Sequence, residues 1–117
     1  MRDLDHYLDL IDEKATVGAQ LLGKAIYAAR HGDADEAEPD DLRPIVRDLP
    51  TGESYTTDRA IIILACDRLA TDDGRDRGIG ALADELGVHR DTVNRWVHGR
   101  TSPGGPAVGM ARQVLKK

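Results

Sequence analysis

The 117-residue sequence has no phenylalanine, one tryptophan and three tyrosines. A core with so few aromatic rings must be filled by Leu, Ile, Val and Ala, which favours helices over a β-sandwich of aromatic and β-branched strands. We therefore expect an all-α fold. The chain also lacks any run of about 18 consecutive apolar residues, so no segment is predicted to cross a membrane.

A single cysteine, Cys66, excludes an internal disulfide and a zinc site of the paired-cysteine kind. It lies in the apolar run 61–66, which predicts a buried thiol with a structural role. The first residues lack a basic segment followed by an apolar one, so no secretory signal is predicted and a cytoplasmic protein is expected. With 40% hydrophobic and 32% charged residues, the composition fits one compact domain or two very small ones.

No pattern typical of catalysis, metal binding or phosphate binding is found. The four histidines stand apart from one another in the sequence: His6, His31, His89 and His98. None has the Glu-flanked spacing of a metal site, and the acidic segment 32–41 lacks the ligand spacing of a calcium loop. Residues 78–80 lack the further glycine and the preceding strand of a phosphate-binding loop. We expect neither enzyme activity nor a metal or other cofactor.

Charge is unevenly distributed along the chain, whose formal net charge is −5. Residues 1–56 carry −7 and residues 57–117 carry +2, and the segment from Arg77 onward carries +4. Such a basic end is suited to a polyanion, but arginines near a chain end are also common on an ordinary solvated surface. Charge alone leaves both interpretations open, so the spacing of the residues has to decide.

Hydrophobic spacing predicts one long helix over residues 3–31, with a stop at His31 and Gly32. Its apolar residues recur at intervals of three, four or seven: Leu4, Leu8, Ile11, Ala15, Leu22, Ile26 and Ala29. Residues 16–18 are expected to form a kink in this helix or to approach another backbone closely. Residues 32–41 are interpreted as an acidic linker, followed by a short helix that Asp40 or Asp41 caps and that ends at Val46.

Residues 50–56 are the expected boundary between an N-terminal acidic helical region, 1–50, and a second region, 57–117. In the second region Thr57 or Asp58 is predicted to cap a helix running from Arg59 to about Ala70, which residues 71–74 end. Three further helices are predicted over residues 79–86, 90–98 and 106–115. The expected core positions of the first and last of these four helices are Ile61, Ile62, Leu64, Ala65, Leu69, Val108, Ala111, Val114 and Leu115.

The segment 79–98 predicts a helix, a tight turn and a second helix, which is the helix-turn-helix arrangement. Ala83 is small where two helices cross closely, and Val88 is expected to fill the wedge between them. Gly87 is predicted to have a positive φ, because a residue without a Cβ can end the first helix in a left-handed conformation.

Spacing in the second helix of this segment separates an inner face from an outer one. Val93, Trp96 and Val97 fall at i, i+3 and i+4 and are predicted to face inward. The outward residues are Arg90, Asp91, Thr92, Asn94, Arg95 and His98. Arg can donate two hydrogen bonds to guanine in the major groove and Asn can pair with adenine, whereas a merely solvated helix usually carries Lys and Glu. A helix-turn-helix used only for packing would not need these outward Arg and Asn side chains.

Residues 81–103 closely resemble the helix-turn-helix of Cro and C1-type phage repressors and of the related xenobiotic-response-element family. The likeness is carried by Leu82, Ala83, Leu86, Gly87, Val88, Thr92, Val93, Arg95, Trp96, Gly99, Arg100 and Pro103. It extends over roughly residues 57–115 and leaves the first 50 residues unexplained. The resemblance implies a C-terminal repressor-like helical bundle that binds double-stranded DNA.

The resemblance also assigns roles to individual residues. It implies that Arg90, Asp91, Asn94 and Arg95 read bases. Contacts to phosphate or to the groove edge are expected from Arg77, His89, Thr92, His98, Arg100 and Thr101, with His89 also capping the helix. The family often has Thr-Gln at the start of the first motif helix, where it caps the helix and contacts a DNA phosphate, but this sequence has Gly78 and Ile79. The phosphate contact is then either absent or made by Arg75 or Arg77. Directly after the aromatic Trp96 the family often has Glu, but this sequence has Val97. This valine is expected to pack on the final helix.

Together these features predict a sequence-specific transcription regulator, a phage-type or prokaryotic repressor that acts as a homodimer on two half-sites. The N-terminal helix is expected either to pair two copies, hiding Leu4, Leu8, Ile11 and Leu22, or to fold back on residues 59–70 of its own chain. A hypothesis of another class is an interaction module, such as an antitoxin whose acidic N-terminal region binds a basic protein partner.

Overall fold

The computed structural model describes residues 3–35, 37–50, 54–70 and 78–116. Over these residues the chain is mostly helical, with seven α-helices and a two-stranded antiparallel sheet. In chain order the elements are α1 (Leu4–Asp12), β1 (Thr16–Gly18), α2 (Ala19–His31), α3 (Pro39–Arg47), β2 (Ser54–Thr56), α4 (Thr57–Leu69), α5 (Ile79–Leu86), α6 (Arg90–Val97) and α7 (Gly105–Lys116). The expected helical character is confirmed, and the small sheet is an addition to it. The chain divides into two compact units, Met1–Ala60 and Ile61–Lys117.

The N-terminal segment of the first unit is two helices separated by a strand. β1 pairs antiparallel with β2, so that Val17 lies opposite Tyr55, and the two side chains are only 0% and 1% exposed. The prediction of one helix over residues 3–31 is therefore wrong, because β-branched Thr16 and Val17 favour an extended backbone and find ladder partners in a distant segment. The alternative that residues 16–18 approach another backbone is confirmed.

Both ends of this helical pair follow from local chemistry. The carboxylate of Asp3 accepts a hydrogen bond from the main-chain N–H of His6 at 3.1 Å and caps α1. At the other end Gly32 has a φ of +83° and donates its N–H to the carbonyl of Ala28, which confirms the predicted stop of α2.

The helix α3 begins at Pro39, earlier than expected, and packs against α2. Glu38 is the N-cap residue, and its main-chain N–H donates to the carboxylate of Asp41 at 3.0 Å. The prediction that Asp40 or Asp41 is the N-cap is wrong, because proline favours the first helical position and moves the start forward. The helix also extends one residue past Val46, to Arg47.

Regular secondary structure is present at residues 54–57, where β2 ends and α4 begins. β2 occupies residues 54–56 within the expected boundary of 50–56, and α4 starts at Thr57, two residues before the predicted start. The side chain of Thr56 accepts from the N–H of Arg59 at 3.2 Å, so neither Thr57 nor Asp58 provides this contact. The Thr57 hydroxyl instead donates to the main-chain carbonyl of Lys14, which ties the start of α4 to the loop after α1.

The apolar face that suggested pairing of two copies is covered within one chain. Leu4, Leu8, Ile11 and Leu22 are 9%, 6%, 0% and 0% exposed. Because α1 packs against α2 in the first unit, these side chains form part of its core. A homodimer remains a prediction, but these four residues do not form an exposed surface through which two copies could pair.

In the second unit, residues 61–66 are all buried, which confirms the buried thiol of Cys66 and adds Ile63 to the expected core. Leu69 is half-buried, contrary to its predicted place in the core, because it is the last residue of α4. α5 has its predicted bounds, and α7 is one residue longer at each end than predicted. The four expected inward residues of α7 are all buried. The predicted stop at 71–74 lies outside the described residues.

Candidate nucleic-acid interface

The turn between α5 and α6 is built on Gly87, whose φ of +69° confirms the predicted positive value. Gly87 donates its N–H to the carbonyl of Asp84 at 3.3 Å, and Val88 donates its N–H to the carbonyl of Ala83 at 3.0 Å. This pair of bonds is a Schellman motif, which satisfies the last carbonyls of a helix and fixes the direction in which the chain leaves it. Val88 is half-buried at this turn.

The same motif ends α6. Gly99 has a φ of +73° and donates its N–H to the carbonyl of Trp96 at 3.1 Å. Arg100 donates its main-chain N–H to the carbonyl of Arg95 at 2.9 Å. The backbone of Arg100 is therefore held beside the last turn of α6, so that two arginines extend from the same end of this helix. The resemblance implied a phosphate or groove-edge contact for Arg100, but this main-chain bond was not predicted from the sequence.

The start of α6 is capped by a histidine, as expected. Nδ1 of His89 accepts a hydrogen bond from the main-chain N–H of Asp91 at 3.1 Å. Because Nδ1 acts as an acceptor here, the ring proton of the neutral imidazole belongs on Nε2. The side chain is 76% exposed, so this second nitrogen can donate to another molecule.

One face of α6 is buried. Val93, Trp96 and Val97 are 0%, 7% and 7% exposed, which confirms the predicted inner face. α6 packs mainly against α5, on which Ala83 is 2% exposed. α7 also packs against α5. Val97 is buried as expected, and its packing on α7 stays a prediction.

The opposite face of α6 is open to solvent. Arg90, Asp91, Arg95 and His98 are exposed, while Thr92 and Asn94 are half-buried at the sides of this face. Asp91, Arg95 and His98 follow one another at i, i+4 and i+7, which places them in one row along the helix. Arg100 and Thr101, in the turn after α6, are also exposed. The structure therefore brings the predicted site residues together on α6 and its two flanking turns, except for Arg77, which lies outside the described residues.

The sequence around this face is predominantly basic. Asp91 is the last acidic residue of the chain, and residues 92–117 contain only cationic charges: Arg95, Arg100, Arg112, Lys116 and Lys117. A basic helix face that meets a polyanion gains affinity chiefly by releasing the counterions of the phosphates.

Gly78 has a structural role that was not predicted from the sequence. This residue has a φ of +81°, and a Cβ added to it would overlap with the carbonyl oxygen of Cys66 in α4. Its own carbonyl accepts the N–H of Leu82 at 2.9 Å and so begins α5. A glycine directly before a helix that lacks a capping side chain was the available signal, but its close neighbour is known only from the fold.

Neither a metal-binding cluster nor a membrane-spanning helix is present in the part of the chain that the structure describes. No group of three or more His, Cys, Asp or Glu side chains there could hold a metal ion. No helix there has the length and hydropathy needed to span a membrane. Comparison with protein-family models, with curated proteins and with solved structures gives no match. The function must therefore be argued from the side chains of the site.

Proposed function

We propose that this protein is a sequence-specific regulator of transcription that binds double-stranded DNA through a helix-turn-helix made of α5 and α6. The proposal rests on one observation: α6 packs its apolar face against α5 and exposes Arg90 and Arg95 on its outer side, with Asn94 partly exposed between them. This combination is typical of a helix that reads bases, and the resemblance of residues 81–103 to Cro and C1-type phage repressors points the same way.

The dimensions of α6 suit the major groove. With its side chains an α-helix is about 10–12 Å in diameter, close to the roughly 12 Å width of that groove. In the proposal Arg90 and Arg95 donate to guanine and Asn94 pairs with adenine. The flanking residues then contact phosphate or the groove edge: His89, Thr92, His98, Arg100 and Thr101.

Tight specific binding by so small a module is expected to need two copies. A single module of this size buries roughly 600–1,000 Å² on DNA, so we propose a homodimer on two half-sites about 34 Å apart, acting as a repressor. Because Leu4, Leu8, Ile11 and Leu22 are buried within the chain, the pairing surface must lie elsewhere. Sedimentation of the full chain, alone and with its selected duplex, tests this part.

The decisive experiment selects bound sequences from a random duplex library with the full chain. We expect one sequence to be enriched, and we expect its affinity to fall linearly on a plot of log affinity against log salt concentration. Arg95→Ala should weaken binding, while Arg43→Ala is the matched control, because it removes the same charge from an exposed side chain of α3.

Absence of sequence enrichment would contradict the proposal, whether or not the chain binds random duplex in a salt-dependent way. Binding to a basic protein partner without any binding to duplex DNA would instead favour the antitoxin-like interaction module.

A further inference from the structure

Asp91 is an acidic residue in a place that phosphate should disfavour. Its side chain is 73% exposed in the first turn of α6, and Arg95 lies four residues further along the same face. An acidic residue near a helix N-terminus stabilises the helix dipole, but any outward position of the first turn would serve that purpose. On a face that approaches DNA, a carboxylate is repelled by the phosphates unless a base compensates for it.

The carboxylate of Asp91 keeps its capacity to accept hydrogen bonds. Nδ1 of His89 lies 3.7 Å from Oδ2 of Asp91. That nitrogen already accepts the main-chain N–H of Asp91, so in the neutral ring it offers a lone pair and no proton to the carboxylate. The cap thus fixes the main chain of Asp91 and leaves its side chain available to another donor.

Of the groups on the base edges of the major groove, only an amino group can donate to this carboxylate. Cytosine presents its N4 amino group there without an acceptor of its own, whereas adenine presents its N6 amino group beside the N7 acceptor, which repels a carboxylate. Guanine and thymine offer no donor on that edge. Cytosine is therefore the base that best compensates an exposed aspartate.

We infer that Asp91 is a specificity-determining residue that requires cytosine at one position of the DNA site and weakens binding to all other sequences by repelling phosphate. The inference rests on the proposed function and deepens it. At a site with cytosine, the hydrogen bond from the N4 amino group offsets the repulsion between the carboxylate and the phosphates. A random duplex lacks this hydrogen bond, so the repulsion weakens binding.

The test compares sequences selected by the full-length wild type, Asp91→Asn, Asp91→Ala and Asp84→Asn. We expect the wild type to prefer cytosine at one position and Asp91→Asn to prefer adenine there, because an amide pairs with adenine N6 and N7. Asp91→Ala should lower the preference at that position by roughly fivefold or more and should bind random duplex more tightly. Asp84→Asn removes the same charge from an exposed residue of α5 and should leave the base preference unchanged.

A second measurement needs no variant. Wild-type protein should bind less tightly to a selected duplex in which that single cytosine carries a methyl group on N4. If the Asp91 variants keep the wild-type preference, or if N4 methylation has no effect, the inference is overturned while the proposed function stands. If the wild type itself selects no sequence, the proposed function is overturned.

Discussion

Gly78 lies against the carbonyl group of Cys66, and no side chain can be placed between them. Two separate properties demand glycine here: the φ of +81° and the overlap that a Cβ would make with the backbone of α4. Because Gly78 immediately precedes α5, this contact fixes where the first helix of the α5–α6 pair begins relative to α4.

Gly78→Ala should destabilise the protein by at least about 3 kcal/mol, from the left-handed backbone and from the overlap together. Gly109→Ala is the matched control, since it lies inside α7 with no atom within 4 Å of an added Cβ. This control should stabilise the protein by about 0.5–1 kcal/mol. Urea unfolding followed by circular dichroism measures both, and equal stabilities for the two variants would contradict the role of Gly78.

Gly87→Val should destabilise the protein by about 1–2 kcal/mol or more, because a β-branched residue is strained at positive φ. It should also weaken DNA binding by the folded protein, since the turn sets the direction of α6. Gly32→Val is the control: its φ is also positive and an added Cβ there also meets open space, but it ends α2 in the first unit. Unfolding and duplex binding are measured for both, and equal binding by the two would exclude a positioning role for Gly87.

How far the sequence predicts the fold depends on whether the determinants are local. The bounds of α5 and the inner face of α6 were predictable, because helical spacing and Gly87 act within a few residues. The break at residues 16–18 was not, because β1 exists only by pairing with residues 54–56, while the apolar spacing continues through the break.

The same distinction applies to the site. Exposure of Arg90 and Arg95 follows from the period of α6, and capping by His89 follows from its position before the helix. The bond that holds Arg100 beside Arg95 was not predicted, although Gly99 offers the same local signal as Gly87, a glycine that ends a helix in a left-handed conformation. The contact of Gly78 with α4 depends on the packing of the second unit.

Arg95→Ala should reduce affinity for the selected site by about 1–3 kcal/mol and relax the preference at one base, because a lost bidentate pair leaves that base unread. Arg100→Ala should weaken binding to all sequences alike and lower the salt slope by roughly one unit, as expected for a phosphate contact. Binding assays on the selected and random duplexes at several salt concentrations separate the two. Unchanged base preference in Arg95→Ala would refute its assignment to base reading.

Stability should fall above about pH 10 because of Tyr55. Burial raises the pKa of this phenol, although the Arg59 guanidinium, 4.6 Å from the ring centre, acts in the opposite direction. With the folded pKa above the unfolded one, the stabilisation is complete below the unfolded pKa and is lost as pH rises through the folded pKa.

Replacing Tyr55 with phenylalanine should make the alkaline loss of stability less steep, while costing the hydrogen bond from the hydroxyl to the Pro50 carbonyl at all lower pH values. The free energy of unfolding, measured in urea from pH 8 to 11, gives both effects. Identical slopes for Tyr55→Phe and the wild type above pH 10 would refute this explanation of the alkaline loss.

His89 is expected to have two separable roles, as the cap of α6 and as a donor to phosphate through Nε2. His89→Ala removes both and should cost about 1 kcal/mol of stability. His89→Asn should recover that stability, because the amide oxygen can accept the N–H of Asp91, but it should still bind selected and random duplexes less tightly than the wild type. Full recovery of both stability and affinity by His89→Asn would show that His89 acts only as a helix cap and does not contact DNA.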